Sequence, residues 1–123
     1  CKVLQVKTLK PSDGTVGYGR HGEIAPEGTV VATIPVGYAD GLDRHLSCGK
    51  GSFSINGQRV PTIGNICMDM TMLDVTGMDV KEGDTVTIFG EDPTVSELAE
   101  ILGTIPYEIL TSVPRRIERV IVK

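Results

Sequence analysis

Ser52-Phe53-Ser54-Ile55-Asn56-Gly57-Gln58-Arg59-Val60-Pro61-Thr62-Ile63 is the stretch that decides how this chain is built. Two short runs, Ser52 to Ile55 and Gln58 to Ile63, flank Asn56-Gly57, the dipeptide best suited to a two-residue hairpin turn. Reading outward toward the C-terminus, Gly64 breaks the second arm and leads into Ile66-Cys67-Met68-Asp69. Met72 to Val75 continues as strand, Lys81-Glu82-Gly83-Asp84 turns the chain, and the alternation in Thr85 to Phe89 predicts another strand. Toward the N-terminus, Thr29 to Val36 is the most β-branched run, and its near-continuous apolar character predicts a strand buried on both faces. Lys2 to Leu9 reads as a half-buried strand, with turns expected at Pro11-Ser12-Asp13-Gly14 and Pro26-Glu27-Gly28. Extended chain is expected to resume over Thr15 to Tyr18.

Helix is expected only near the end. Thr94 with Glu97 forms the sequence of a capping box, Leu98, Ile101 and Leu102 form an apolar stripe, and Gly103 is placed to stop the helix. Thr104-Ile105-Pro106-Tyr107 predicts a second short helix, with proline in the first turn, where its missing N–H costs nothing. Arg116 to Lys123 is expected to close the domain as a strand. Short strands at close spacing with one helical excursion predict a mainly β domain. The expected form is a small closed Greek-key-like β-barrel with one or two short helices near the C-terminus.

At 123 residues the chain has room for one domain with a real core. A net charge of −4 without a basic run argues against a nucleic-acid surface. No apolar run approaches the length that crosses a bilayer, and no signal peptide opens the sequence. Three cysteines, Cys1, Cys48 and Cys67, lack paired spacing, so they read as small buried hydrophobes in a reducing cytoplasm. His21 and His45 have no partner at metal-ligand spacing and read as solvated loop residues. A chain that opens on Cys1 and runs straight into strand-like sequence is expected to be an excised domain.

The chemistry-bearing residues lie in three glycine-bounded segments: Gly17-Tyr18-Gly19-Arg20, Gly37-Tyr38-Ala39-Asp40-Gly41 and Gly64-Asn65-Ile66-Cys67-Met68-Asp69. A tyrosine between glycines leaves its backbone free to approach a ligand closely. If residues 18–20 were strand, Tyr18 and Arg20 would share a face, and a cation beside a phenol favours the phenolate. The residues alone also fit plainer roles: a surface tyrosine at Tyr18, an Asp-Gly turn at Asp40, a core methionine at Met68, a packed helix-start side chain at Tyr107. No Gly-rich phosphate loop, Ser-His-Asp set or Schiff-base lysine context completes a site.

On these motifs the chain resembles the C-terminal β-domain of the bacterial alanine racemase family. The segment Gly17–Arg20, the run Ala32–Ser47 (ATIPVGYADGLDRHLS), Gly64–Met70 (GNICMDM), Leu73-Asp74-Val75-Thr76 and Gly103–Thr111 (GTIPYEILT) fall in family order, so the match covers nearly the whole chain. The resemblance implies that residues 1–123 form that domain, and that the N-terminal β/α barrel holding pyridoxal 5′-phosphate is absent from this chain. It implies an isomerase that interconverts L-alanine and D-alanine for peptidoglycan, acting in the cytoplasm as a homodimer of full-length chains. The isolated fragment is expected to be inactive. By residue, it implies a catalytic base at Tyr18, lent to the partner subunit, and a backbone N–H at Met68 for the substrate carboxylate. It further implies a substrate entrance lined by Tyr38 and Asp69, and a contact from Tyr107 to the cofactor phosphate. Two departures stand out: Asn65 occupies a position where many members carry arginine, and Ser112 to Arg119 follows the usual Arg-rich ending only loosely. Serine or broad-specificity racemisation, and a non-catalytic β-barrel docking module, are the other readings the sequence allows.

Overall fold

The computed structural model describes residues 1–122. It is mainly β, with two short helices near the C-terminal end. The Asn56-Gly57 hairpin forms as expected: β3 (Ser52–Ile55) pairs antiparallel with β4 (Gln58–Pro61), in the register Phe53 to Val60. Both turn residues take left-handed φ, 52° and 75°, as a two-residue hairpin turn of this kind demands.

Two three-stranded antiparallel sheets result. One runs β1 (Gln5–Leu9), β2 (Thr29–Ile34), β5 (Thr71–Asp74), and the other runs β4, β3, β6 (Val86–Thr87). β2 lies in the middle of its sheet, and Thr29, Val31, Ala32 and Ile34 are buried along it. That accounts for its near-continuous apolar sequence, because a central strand has no solvent edge. Isolated bridges at Thr62 to Leu73 and Lys2 to Thr85 connect the two sheets. Between them sits one core that includes Phe53, Ile34, Leu46, Ile55, Leu73 and Leu98.

Helix α1 (Val95–Leu102) begins at Thr94, whose hydroxyl accepts from the Glu97 N–H at 3.1 Å, and ends at Gly103. The Glu97 carboxylate does not complete the capping box. It turns to Arg59, which also binds Asp92 at 2.6 Å, so β4 is tied to the start of the helix. The stripe is shifted as well: Leu98 and Ala99 are buried while Ile101 is 42% exposed. α2 (Pro106–Ser112) starts on its proline as expected.

Three expectations change. Thr15 to Tyr18 is not a strand, since Val16 makes one bridge to Gly22 and the chain then turns tightly over Tyr18–Arg20. Of Thr85 to Phe89 only Val86–Thr87 forms strand, with Thr85 making a single bridge to Lys2. Residues 116–122 form no strand; Lys123 lies outside the described residues. The Arg119 guanidinium reaches back to the carbonyls of Val113, Pro114 and Ile117 at 2.6–2.8 Å and curls the segment on itself. The cysteines are corrected too: Cys1 and Cys48 are exposed, Cys67 is half-buried, and all three are free. Cys48 adopts φ 57° in a turn, which keeps it out of the core.

Phe53 is fully buried, so Phe53→Ala is expected to lower unfolding free energy by about 3–5 kcal/mol, measured by chemical denaturation. Asp92 offers a pH test. Its hydrogen bond from Arg59 holds the carboxyl below the ordinary value of 3.8. The folded-state value is depressed, so this contribution is complete above the ordinary carboxylate range and fades as pH falls through the lowered value. Denaturation midpoints across acid pH should fall less steeply for Asp92→Asn than for the parent chain.

Candidate functional site

The three glycine-bounded segments meet. Gly37 packs so closely on the Cys67 and Met68 carbonyls that a Cβ there would overlap both oxygens. This close approach lets the Tyr38 N–H donate to the Cys67 carbonyl and the Ala39 N–H to the Met68 carbonyl, each at 3.0 Å. From the same segment, the Asn65 side-chain amide donates to the Tyr18 carbonyl at 2.8 Å. Tyr18 and Tyr38 are thus both anchored to Asn65–Met68, although far apart in sequence.

The Tyr18 turn has the backbone its glycines permit: Gly17 and Gly19 take φ 76° and 79°, a region that costs most other residues energy. Strand alternation therefore does not set the directions of Tyr18 and Arg20. Among the described residues, no hydrogen bond joins Arg20 to the phenol. Tyr18 is 75% exposed and Tyr38 46% exposed.

Met68 is 54% exposed, which removes the core-methionine reading. Among the described residues no protein group accepts from its backbone N–H, while its carbonyl is taken by Ala39. Asp69 beside it is exposed. Tyr107 lies on α2 and is 74% exposed rather than packed. Nothing in the geometry above brings it to Tyr18.

Asp40 does more than shape a turn. One carboxylate oxygen accepts from the Gly37 N–H at 2.9 Å, and the other pairs with Arg116. Arg116 also donates to the Ala39 carbonyl at 3.0 Å. The C-terminal segment therefore fastens the turn that carries Tyr38. Sequence reasoning missed this contact because the partners are remote in the chain. It likewise missed the Ser47 hydroxyl that accepts from the Ile66 N–H at 2.8 Å. An apolar cleft of about 490 Å³, walled by Leu46, Phe89, Leu98, Leu102 and Ile109, holds none of the tyrosines. Asp40, Asp43 and Glu108 also reach its lining, but its walls are mainly apolar and it lies apart from Tyr18, Tyr38 and Met68, so the exposed tyrosine surface is taken as the candidate site.

The model of the family described as "Alanine racemase, C-terminal domain" matches residues 1–121. The chain belongs to that family. Alanine racemase 1 of Clostridium acetobutylicum is 44% identical over 98% of this chain and 32% of its own length. The alanine racemase of Desulfosudis oleivorans is 48% identical over 97% of the chain and 31% of its own. Among solved structures, alanine racemase from Bartonella henselae with covalently bound pyridoxal phosphate superposes with a TM-score of 0.88 at 35% identity. That match covers 98% of this chain and 33% of that one. The chain thus spans about a third of the length of these alanine racemases.

Arg116→Ala is expected to lower stability by about 1–2 kcal/mol, because the Asp40 carboxylate, only 10% exposed, loses its cation. Amide exchange at residues 37–41 should accelerate while the Asn56-Gly57 hairpin stays protected, as read by mass spectrometry.

Proposed function

We propose that this chain is the C-terminal β-domain of a pyridoxal phosphate-dependent alanine racemase, an isomerase of L- and D-alanine that works as a homodimer of full-length chains. The observation that carries this reading is the anchoring of two exposed tyrosines, Tyr18 and Tyr38, to one segment, Asn65–Met68. A domain that leaves phenols and a free N–H at its surface is built to complete a site against another surface. In this reading the two sheets form one closed Greek-key-like barrel, supported by the bridges Thr62–Leu73 and Lys2–Thr85. Its own N-terminal barrel, absent from residues 1–123, would hold the cofactor. Three free thiols suit a cytoplasmic setting.

The residues present fit pyridoxal phosphate at one point. Among the described residues the Tyr107 hydroxyl makes no hydrogen bond, and an exposed phenol can donate to a phosphate oxygen. When bound, the cofactor supplies an electron sink that acidifies the substrate Cα–H. Tyr18 moves the proton on one face of Cα, and an amine on the missing barrel serves the other. Two groups on opposite faces allow removal on one side and delivery on the other, which is what inversion requires. The Met68 N–H donates to the substrate carboxylate and fixes its orientation. Tyr38 and Asp69 narrow the entrance and favour a small substrate.

Tyr18→Phe in the full-length enzyme is expected to reduce kcat by about 100-fold or more while the pyridoxal absorbance persists. Undiminished turnover in that variant would remove the assignment of Tyr18. The isolated chain should show neither racemisation nor a pyridoxal band, and a bound cofactor spectrum there would contradict the proposed division between domains.

A further inference from the structure

Nothing in the role proposed for Tyr18 says what holds it still. The tip of its turn, residues 17–21, takes part in no sheet; the Val16–Gly22 bridge closes only the base, with the Val16 N–H on the Gly22 carbonyl at 2.8 Å. Three of the tip's residues, Gly17, Gly19 and Arg20, have positive φ. A segment in that region without sheet pairing is free to move unless something outside it fixes the backbone.

Among the described residues, one hydrogen bond ties this tip to the rest of the chain: Asn65 Nδ2 to the Tyr18 carbonyl at 2.8 Å. The geometry points to Asn65 as a positioning residue for Tyr18, its buried amide clamping the turn from which the phenol projects. This inference rests on the reading of Tyr18 as the proton-transfer group.

Four observations support the clamp. Asn65 is 9% exposed and its hydrogen bond to Tyr18 is partly buried, so the amide has little water to turn to and is costly to leave unpaired. Its other amide atom is also engaged, Oδ1 accepting from the Cys48 thiol at 3.6 Å, which fixes which way the amide faces. The backbone on either side is held by the Ser47 hydroxyl on the Ile66 N–H and by the Cys48 N–H on the Gly64 carbonyl at 2.9 Å. The fit is also tight: a Cβ at Gly19 would sit 3.0 Å from Nδ2, and one at Gly17 would sit 3.2 Å from the Asn65 carbonyl. Fixing the Tyr18 carbonyl fixes its Cα, and hence the arc its hydroxyl can sweep. A proton-transfer group displaced by an ångström loses much of its rate even when substrate binds normally.

The test uses the full-length racemase carrying this domain. Asn65→Asp keeps the shape and the oxygen facing Cys48 but removes the N–H that holds Tyr18. We expect kcat to fall by about 10- to 100-fold with KM within about twofold. The pyridoxal absorbance should be retained, and amide exchange over residues 17–21 should be faster by mass spectrometry. The isotope effect with α-deuterated alanine should rise for the enantiomer whose hydrogen faces Tyr18. Cys48→Ala loosens the amide but leaves the donor in place, so its loss of kcat and its gain in exchange should be smaller than those of Asn65→Asp. If Asn65→Asp does not fold, Gly19→Ala strains the same contact from the other side and should give the same signature. A folded variant with parental exchange over residues 17–21, or with parental kcat while Tyr18→Phe is inactive, overturns the clamp and leaves the Tyr18 assignment intact. An active Tyr18→Phe enzyme removes that assignment instead, and the exchange measurement then decides the clamp alone.

Discussion

Two backbone hydrogen bonds, from Tyr38 and Ala39 to the carbonyls of Cys67 and Met68, hold the chemical side of this domain together. Each is worth only about 1 kcal/mol in isolation, yet the arrangement around them depends on their being made. They require the backbone at Gly37 to approach the opposing chain closer than any side chain would permit. Once that approach is fixed, Asp40 can cap the Gly37 N–H, Arg116 can close over Asp40, and the Thr71 hydroxyl can donate to the Val36 carbonyl at 2.6 Å. The glycine is thus a condition for a cluster of polar contacts, and the cluster sets where Tyr38 emerges.

What was legible in the sequence is what local physics decides. Asn56-Gly57 specifies its own turn, Thr94 and Gly103 mark the ends of α1, and Pro106 opens α2. The near-continuous apolar run of β2, broken only by Thr29 and Thr33, announces a central strand because burial on both faces leaves few polar positions. What was not legible depends on partners far away in the chain. Glu97 has the spacing for a capping box, but a guanidinium 38 residues distant in sequence outcompetes the helix N-terminus for its carboxylate. Residues 116–122 look like strand by composition, and a strand needs an edge to pair with. Here Arg119 satisfies three nearby carbonyls and the segment curls instead.

The candidate site divides the same way. The family motifs singled out Tyr18, Tyr38, Met68, Asp69 and Tyr107, and the structure brings the first three onto one anchoring segment. No periodicity could reveal that Asn65 reaches the Tyr18 carbonyl, a contact across 47 residues. Alternation misled at Tyr18 and Arg20 because extended chain was expected up to Tyr18, whereas positive φ at the flanking glycines replaces the strand with a turn. Glycine spacing was the right signal attached to the wrong local geometry.

Exposure then separates what this domain contributes from what it must borrow. An ordinary phenol ionises near pH 10, so a phenol surrounded by water is a poor proton acceptor at neutral pH. Tyr18 is 75% exposed in this chain, and among the described residues no cation is hydrogen-bonded to its hydroxyl. In the proposed enzyme, placement and electrostatics would therefore be supplied by different surfaces. On that proposal this domain sets where the oxygen can be, through a glycine-flanked turn and the Asn65 amide on the Tyr18 carbonyl. The low-dielectric setting in which a neighbouring charge acts strongly exists only where that oxygen is covered. In the proposed enzyme, covering the hydroxyl with a second surface would bring it next to charges this domain does not carry, which is a physical reason for the two surfaces to assemble.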